Sequence, residues 1–151
     1  MKKILPFVAI VILVLCSYHT TLAQLRKIPA AVTDAFQQKY PNASHVEWKD
    51  KMTSFVAVFR IDDVQYEARF NKHGVWKETE HAVTTEDIPA AVQQGYDKSK
   101  YAEEWKIEAV YKILLPDDKE QYRLLVRKSD LQKKNLLFNS NGRLIKDSIA
   151  L

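Results

Sequence analysis

The sequence predicts an α+β protein made of two tandem repeats, each one helix packed on a four-stranded antiparallel sheet. Three observations lead there. The pentapeptide IPAAV stands at 28–32 and again at 88–92 of a 151-residue chain. After each copy, the spacing of apolar residues changes from a helical period to the two-residue alternation of strands. Phe-Asn-x-x-Gly then closes each half, at 70–74 and at 138–142. Landmarks that return in the same order, with the same change of period between them, are an internal echo rather than chance.

The chain opens on a segment that reads as an address. Lys2 and Lys3 precede ILPFVAIVILVLC (4–16), an apolar run of 13 residues. Such a run suits a signal peptide and is short for a membrane span, which needs about 20 residues. The polar SYHTTLA follows, with Thr21 and Ala23 placed for cleavage before Gln24. Residues 1–23 are therefore expected to be a signal peptide, with 24–83 and 84–151 as the two repeats of a single domain. Leu15 stands where a lipoprotein signal wants a small residue, which argues against lipidation at Cys16, the only cysteine. The expected mature chain then has neither a disulfide nor a thiolate ligand, and its 128 residues are enough to bury a core.

Ile28, Ala31, Val32, Ala35 and Phe36 form one helical stripe, and Ile88, Ala91, Val92, Gly95 and Tyr96 repeat it 60 positions later. Pro29 and Pro89 suit a first helical turn, where a missing N–H costs nothing. Thr84 to Asp87 supply capping and acidic residues before the second helix. Pro41 stops the first. Alternation then predicts strands in HVEWK (45–49), FVAVFRI (55–61), VQYEARF (64–70) and VWKET (75–79). In the second half the strands are WKIEAVYKILL (105–115), QYRLLVRK (121–128), LQKKNLLF (131–138) and RLIKDSI (143–149). Gly74 and Gly142 sit in tight turns that demand positive φ. PDDKE (116–120) lengthens one hairpin of the second half.

Alternation also sorts the sheet faces. Val46, Trp48, Phe55, Ala57, Phe59, Ile61, Val64, Tyr66, Ala68 and Phe70 read as core, as do Trp105, Ile107, Ala109, Tyr111, Tyr122, Leu124 and Val126. Lys106, Glu108, Lys112, Arg123 and Arg127 read as the open face. The candidate binding residues are Arg60, Glu67, Arg69, Trp76, Lys112, Arg123 and Arg127, a mixed-charge surface with one aromatic anchor. Arginine and tryptophan are enriched among interface hot spots. The plain alternative is a solvated sheet face with cross-strand charge pairs worth about 0.2–1 kcal/mol each.

Little else carries chemistry. The pI near 9.1 overstates the basicity: 23 basic residues less Lys2 and Lys3 leave 21 against 19 acidic ones, a net +2. The charges are interleaved, without the basic blocks of a nucleic-acid footprint, so no nucleic acid partner is expected. Neither a nucleophile elbow, nor a phosphate loop, nor a zinc-protease motif is present. His45, His73 and His81 show no ligand spacing and read as surface residues. Asp62-Asp63 and Asp117-Asp118 are explained by turn chemistry, since a calcium loop needs about six oxygens in a set spacing. No catalytic residue, metal or cofactor is expected.

Ile-Pro at a helix start, an aromatic-rich helix end, a hairpin and F-N-x-x-G before the last strand resemble the PepSY-like family across 24–151. Members are exported bacterial proteins, often tandem, related in fold to beta-lactamase inhibitory protein. The resemblance implies two helix-plus-four-strand units with side-by-side sheets, a surface free for a partner, and no catalytic residues. Related PepSY domains occur in protease propeptides, for which inhibitory or chaperone-like roles have been proposed. The expected function is thus a non-catalytic periplasmic or secreted protein that binds a protein or peptide, with inhibition of an exported enzyme as one form. It meets the membrane only through its signal peptide. An envelope module holding lipid, glycan or peptide between the repeats is the alternative.

Overall fold

The computed structural model describes residues 27–150, and the expected signal peptide lies outside them. Helix α1 (Ala30–Lys39) precedes β1 (Ser44–Lys51), β2 (Ser54–Ile61), β3 (Val64–Asn71) and β4 (Trp76–Val83). Helix α2 (Ala90–Asp97) precedes β5 (Lys106–Leu114), β6 (Glu120–Ser129), β7 (Gln132–Asn139) and β8 (Leu144–Ile149). Short 3₁₀ turns occupy Thr85–Asp87 and Pro116–Asp118. The strands do not divide into two sheets. They form one eight-stranded antiparallel sheet in sequence order, and β4 pairs with β5 across the middle. Both described helices lie on the same side, which leaves the other face without a helix among the described residues.

Pro29 and Pro89 stand one residue ahead of each helix, extended at φ −62° and −56°, so their missing donors fall outside the helical ladder. Each helix then buries two residues four apart: Val32 and Phe36 in α1, Val92 and Tyr96 in α2. Phe36 meets Trp48, Phe59 and Phe70 edge to face at 5.0–6.2 Å between ring centres, a geometry that aromatic quadrupoles favour. Around it pack Phe55, Ala57 and Ala68. Under α2 the equivalent cluster holds Val110, Tyr122, Leu124, Val126, Leu136 and Phe138. Thr84 serves its own 3₁₀ turn rather than α2: its N–H and hydroxyl both donate to Asp87, at 3.0 and 2.8 Å.

The Phe-Asn-x-x-Gly motif is a turn that doubles as a helix seat. Asn71 Oδ1 accepts from the N–H groups of His73 and Val75, both at 2.9 Å. Asn139 Oδ1 accepts from Asn141 and Arg143, at 3.1 and 2.9 Å. The glycines that follow adopt φ +80° and +79°. A Cβ on Gly74 would lie 2.2 Å from the Ala31 carbonyl oxygen, and one on Gly142 would lie 1.9 Å from that of Ala91. Each turn thus touches the helix of its own half.

Bulges correct the alternation read from sequence. Ile107 pairs with Val126 and Ala109 with Leu125, so Glu108 is an extra residue and the strand beyond it changes face. Val110 becomes core, whereas Ala109 and Tyr111 move to the open side. An extra residue at Lys77, between the pairs Phe70–Trp76 and Arg69–Glu78, turns Trp76 toward the helices. In β8 an extra residue at Ile145 does the same for Leu144. A fourth irregularity at the start of β1, with His45 at φ 51°, leaves Val46 39% exposed. Val64 is also surface, at 41%. Asp62 and Asp63 take φ 47° and 64°, and Asp117 and Asp118 take 60° and 54°, so both aspartate pairs form the turns expected of them.

Candidate partner-binding face

Across the face without described helices, charged side chains are ordered by one another. Lys49 Nζ donates to Glu67 at 2.8 Å. Arg69 Nε donates to Glu78 at 2.7 Å, and its Nη1 reaches Ser54 Oγ at 3.4 Å. Arg123 reaches over β5: its Nη2 donates to both carboxylate oxygens of Glu80, at 2.9 and 3.0 Å, and its Nη1 to Asn135 at 3.1 Å. Arg127 and Lys133 both hold Glu108, at 2.7 and 2.9 Å. Beneath these chains Val56 and Ile113 are only 3% and 6% exposed. Aliphatic stems cover them although no described helix does.

Five of the seven residues expected on this face are there. Arg60, Glu67, Arg69, Arg123 and Arg127 point to it from β2, β3 and β6, and Arg60 Nη2 donates to the Asp63 carbonyl at 2.8 Å. Trp76 and Lys112 are not. The Lys77 bulge sets the Trp76 ring beside α1, where Lys39 Nζ lies 3.7 Å from its centre and its Nε1 donates to Thr79 at 2.8 Å. The same Thr79 hydroxyl bonds Tyr40. The Glu108 bulge sends Lys112 to the helix side, 2.7 Å from Glu120, which also accepts from Tyr122 at 2.9 Å. The Lys112 bond holds the Glu120 carboxyl below the usual range, against its partial burial.

Alternation missed the residues that take their place. Tyr111 is the aromatic of the open face, and Glu78 and Glu80 join Glu67 and Glu108 as its acids. The readable signal was Ala109-Val110, two adjacent apolar residues where strict alternation allows one. Arg69, Glu80, Arg123, Asn135 and Lys146 line a shallow hollow of about 370 Å³ at the junction of the two halves. A larger hollow, about 530 Å³, lies not between the halves but at the outer edge, among Phe36, Tyr40, Val46 and Trp48.

His81 differs from the surface histidine expected. It stands on the helix side, its ring 4.9 Å from that of Tyr66, and its buried Nδ1 has no hydrogen-bond partner. Burial and the nearby Lys112 push its pKa below the ordinary value, against the pull of Asp87. Among the described residues, no three His, Cys, Asp or Glu side chains converge as a metal site would require. No described helix is long and apolar enough to cross a membrane.

The fold has close counterparts. A BLIP-like protein from Bacteroides fragilis superposes with a TM-score of 0.70 at 24% identity, over 85% of this chain and 90% of that one. A DUF2874 family protein from Bacteroides uniformis gives 0.71 at 24% identity, over 80% and 88%. A protein from Bacteroides eggerthii, described among "putative periplasmic proteins", gives 0.72 at 21% identity, over 82% and 90%. No curated protein matches the sequence. The model of the family described as "Putative beta-lactamase-inhibitor-like, PepSY-like" matches residues 53–146, and the chain belongs to that family.

Proposed function

We propose that this chain is an exported, non-catalytic binding protein that engages a protein or peptide partner through the open face of its sheet. One observation carries the reading. Arg69 is held by Glu78, and Arg123 and Glu80 by each other, beside Tyr111, on a face that carries no described helix. Side chains already fixed lose little freedom on docking, which favours affinity. An exported enzyme is the partner class that the family description and the BLIP-like neighbour point to. Export rests on the basic start and apolar run of residues 1–23, and accords with the periplasmic description of the Bacteroides eggerthii protein.

The same reading takes 24–83 and 84–151 as repeats of one helix-plus-four-strand unit within a single domain. The matching Asn71 and Asn139 turns and the bulges at Lys77 and Ile145 support it. The test is inhibition and capture together. Purified exported β-lactamases and proteases are assayed with the chain present, and envelope extract is passed over it immobilised. The triple variant Arg69→Ala, Tyr111→Ala, Arg123→Ala, checked for folding by circular dichroism, is expected to lose what the native chain binds. Equal capture by the two proteins rejects this face.

A further inference from the structure

We propose that two copies of this chain pair edge to edge through β1, antiparallel and centred on Trp48. β1 ends the sheet, and no described strand lies beyond it. An end strand presents unpaired N–H and C=O groups, and charge on such an edge ordinarily discourages pairing. Here the charge matches itself. Glu47 and Lys49 flank Trp48 on the open side of the sheet, opposite Val58 and Val56. In an antiparallel pair centred on Trp48, each Glu47 faces the second copy's Lys49, with Cβ atoms about 4.5–5.5 Å apart. Among the described residues, Glu47 has no ion-pair partner within its own chain. Lys49 already holds Glu67 at 2.8 Å, and an ammonium has three donors to share. The pairing would extend the line of charge pairs on the open face from one copy into the next.

The helix side supplies apolar contact in the same register. Val46, 39% exposed, borders the 530 Å³ hollow with Trp48, Phe36 and Tyr40. Centring on Trp48 sets the Trp48 of one copy opposite that of the other, beside the two hollows. The arrangement is two-fold, so the contact closes instead of growing into a filament.

Sedimentation equilibrium on residues 24–151, from micromolar to millimolar concentration, tests this. The native chain is expected to show twice the chain mass. Lys49→Glu sets glutamate against glutamate, Glu47→Lys sets lysine against lysine, and each alone should give a monomer. The exchange Glu47→Lys with Lys49→Glu should restore the dimer. Both Lys49→Glu proteins lack the Lys49–Glu67 pair, so that rescue reads the contact between copies. A native chain that stays monomeric, a dimer that ignores Lys49→Glu, or a double exchange that stays monomeric overturns the proposal.

Discussion

The guanidinium of Arg123 lies 4.0 Å from the centre of the Tyr111 ring, with both side chains on the sheet face that no described helix covers. Bonds to Glu80 in β4 and Asn135 in β7 tie four strands together through this one residue. Arg123→Ala removes the ring contact and leaves Glu80 without its ion pair. We expect a loss of about 1–2 kcal/mol, read from urea denaturation. Arg123→Lys should recover only part of it, because lysine cannot fork between Glu80 and Asn135.

Gly142→Ala is expected to destabilise by about 2 kcal/mol or more, because a side chain at φ +79° is strained and its Cβ would meet the Ala91 carbonyl. Gly74→Ala should behave alike through Ala31. Chemical denaturation of both variants checks it. A loss no larger than that of an exposed-loop substitution would contradict the helix-seat reading of the turn.

The acid limb of stability should depend on His81. Its folded pKa lies below the ordinary 6.5 through burial and Lys112, so the folded chain binds fewer protons there than the unfolded one. That contribution is whole above about pH 6.5 and is lost as pH falls through the lower folded value. Thermal melts of His81→Phe should show a flatter decline from pH 6.5 toward 5 than the native chain. Asp87, Glu120 and Asp147, all held below their usual values, act in a lower pH window and leave this one legible.

Alkaline unfolding should be governed by two tyrosines. Burial first, then a carboxylate, pushes Tyr101 up to about 12 beside Asp147 and Tyr122 up to about 12 beside Glu120. The folded chain keeps these protons longer than the unfolded one, where tyrosine titrates near 10. Their contribution is whole below pH 10 and is lost as pH rises through about 12. Melting temperature followed from pH 9 upward should fall in that window. Tyr101→Phe, with no proton to lose, should make the fall shallower.

The helices and the two clusters beneath them were legible because each depends on one local period. Val32 with Phe36, and Val92 with Tyr96, announce a buried stripe whatever lies opposite. The turn at Asn71 was legible because an amide and a positive-φ glycine at fixed spacing have few uses. The faces of β4 and β5 were not. One inserted residue reverses the strand beyond it; only the adjacent Ala109 and Val110 hint at the one at Glu108, and Lys77 carries no mark of being inserted. Tyr101 was missed because its neighbours in KSKYAEEW show neither period, yet it is 3% exposed and bonds Asp147 from β8. Nor does any local pattern say that β4 will find β5, with α2 between them in the chain. The candidate face suffered most, since its membership depends on knowing where every bulge falls.

Every strand of this sheet lies beside the one that precedes it in the chain. Assembly therefore proceeds by short closures, and the one long connection, from Val83 to Lys106, carries its own helix. Such a polypeptide can zip up progressively from either end. Severed between Val83 and Thr85, it would yield two fragments each retaining all but one of its neighbour pairings, so mixing them should rebuild the whole through the single seam they share.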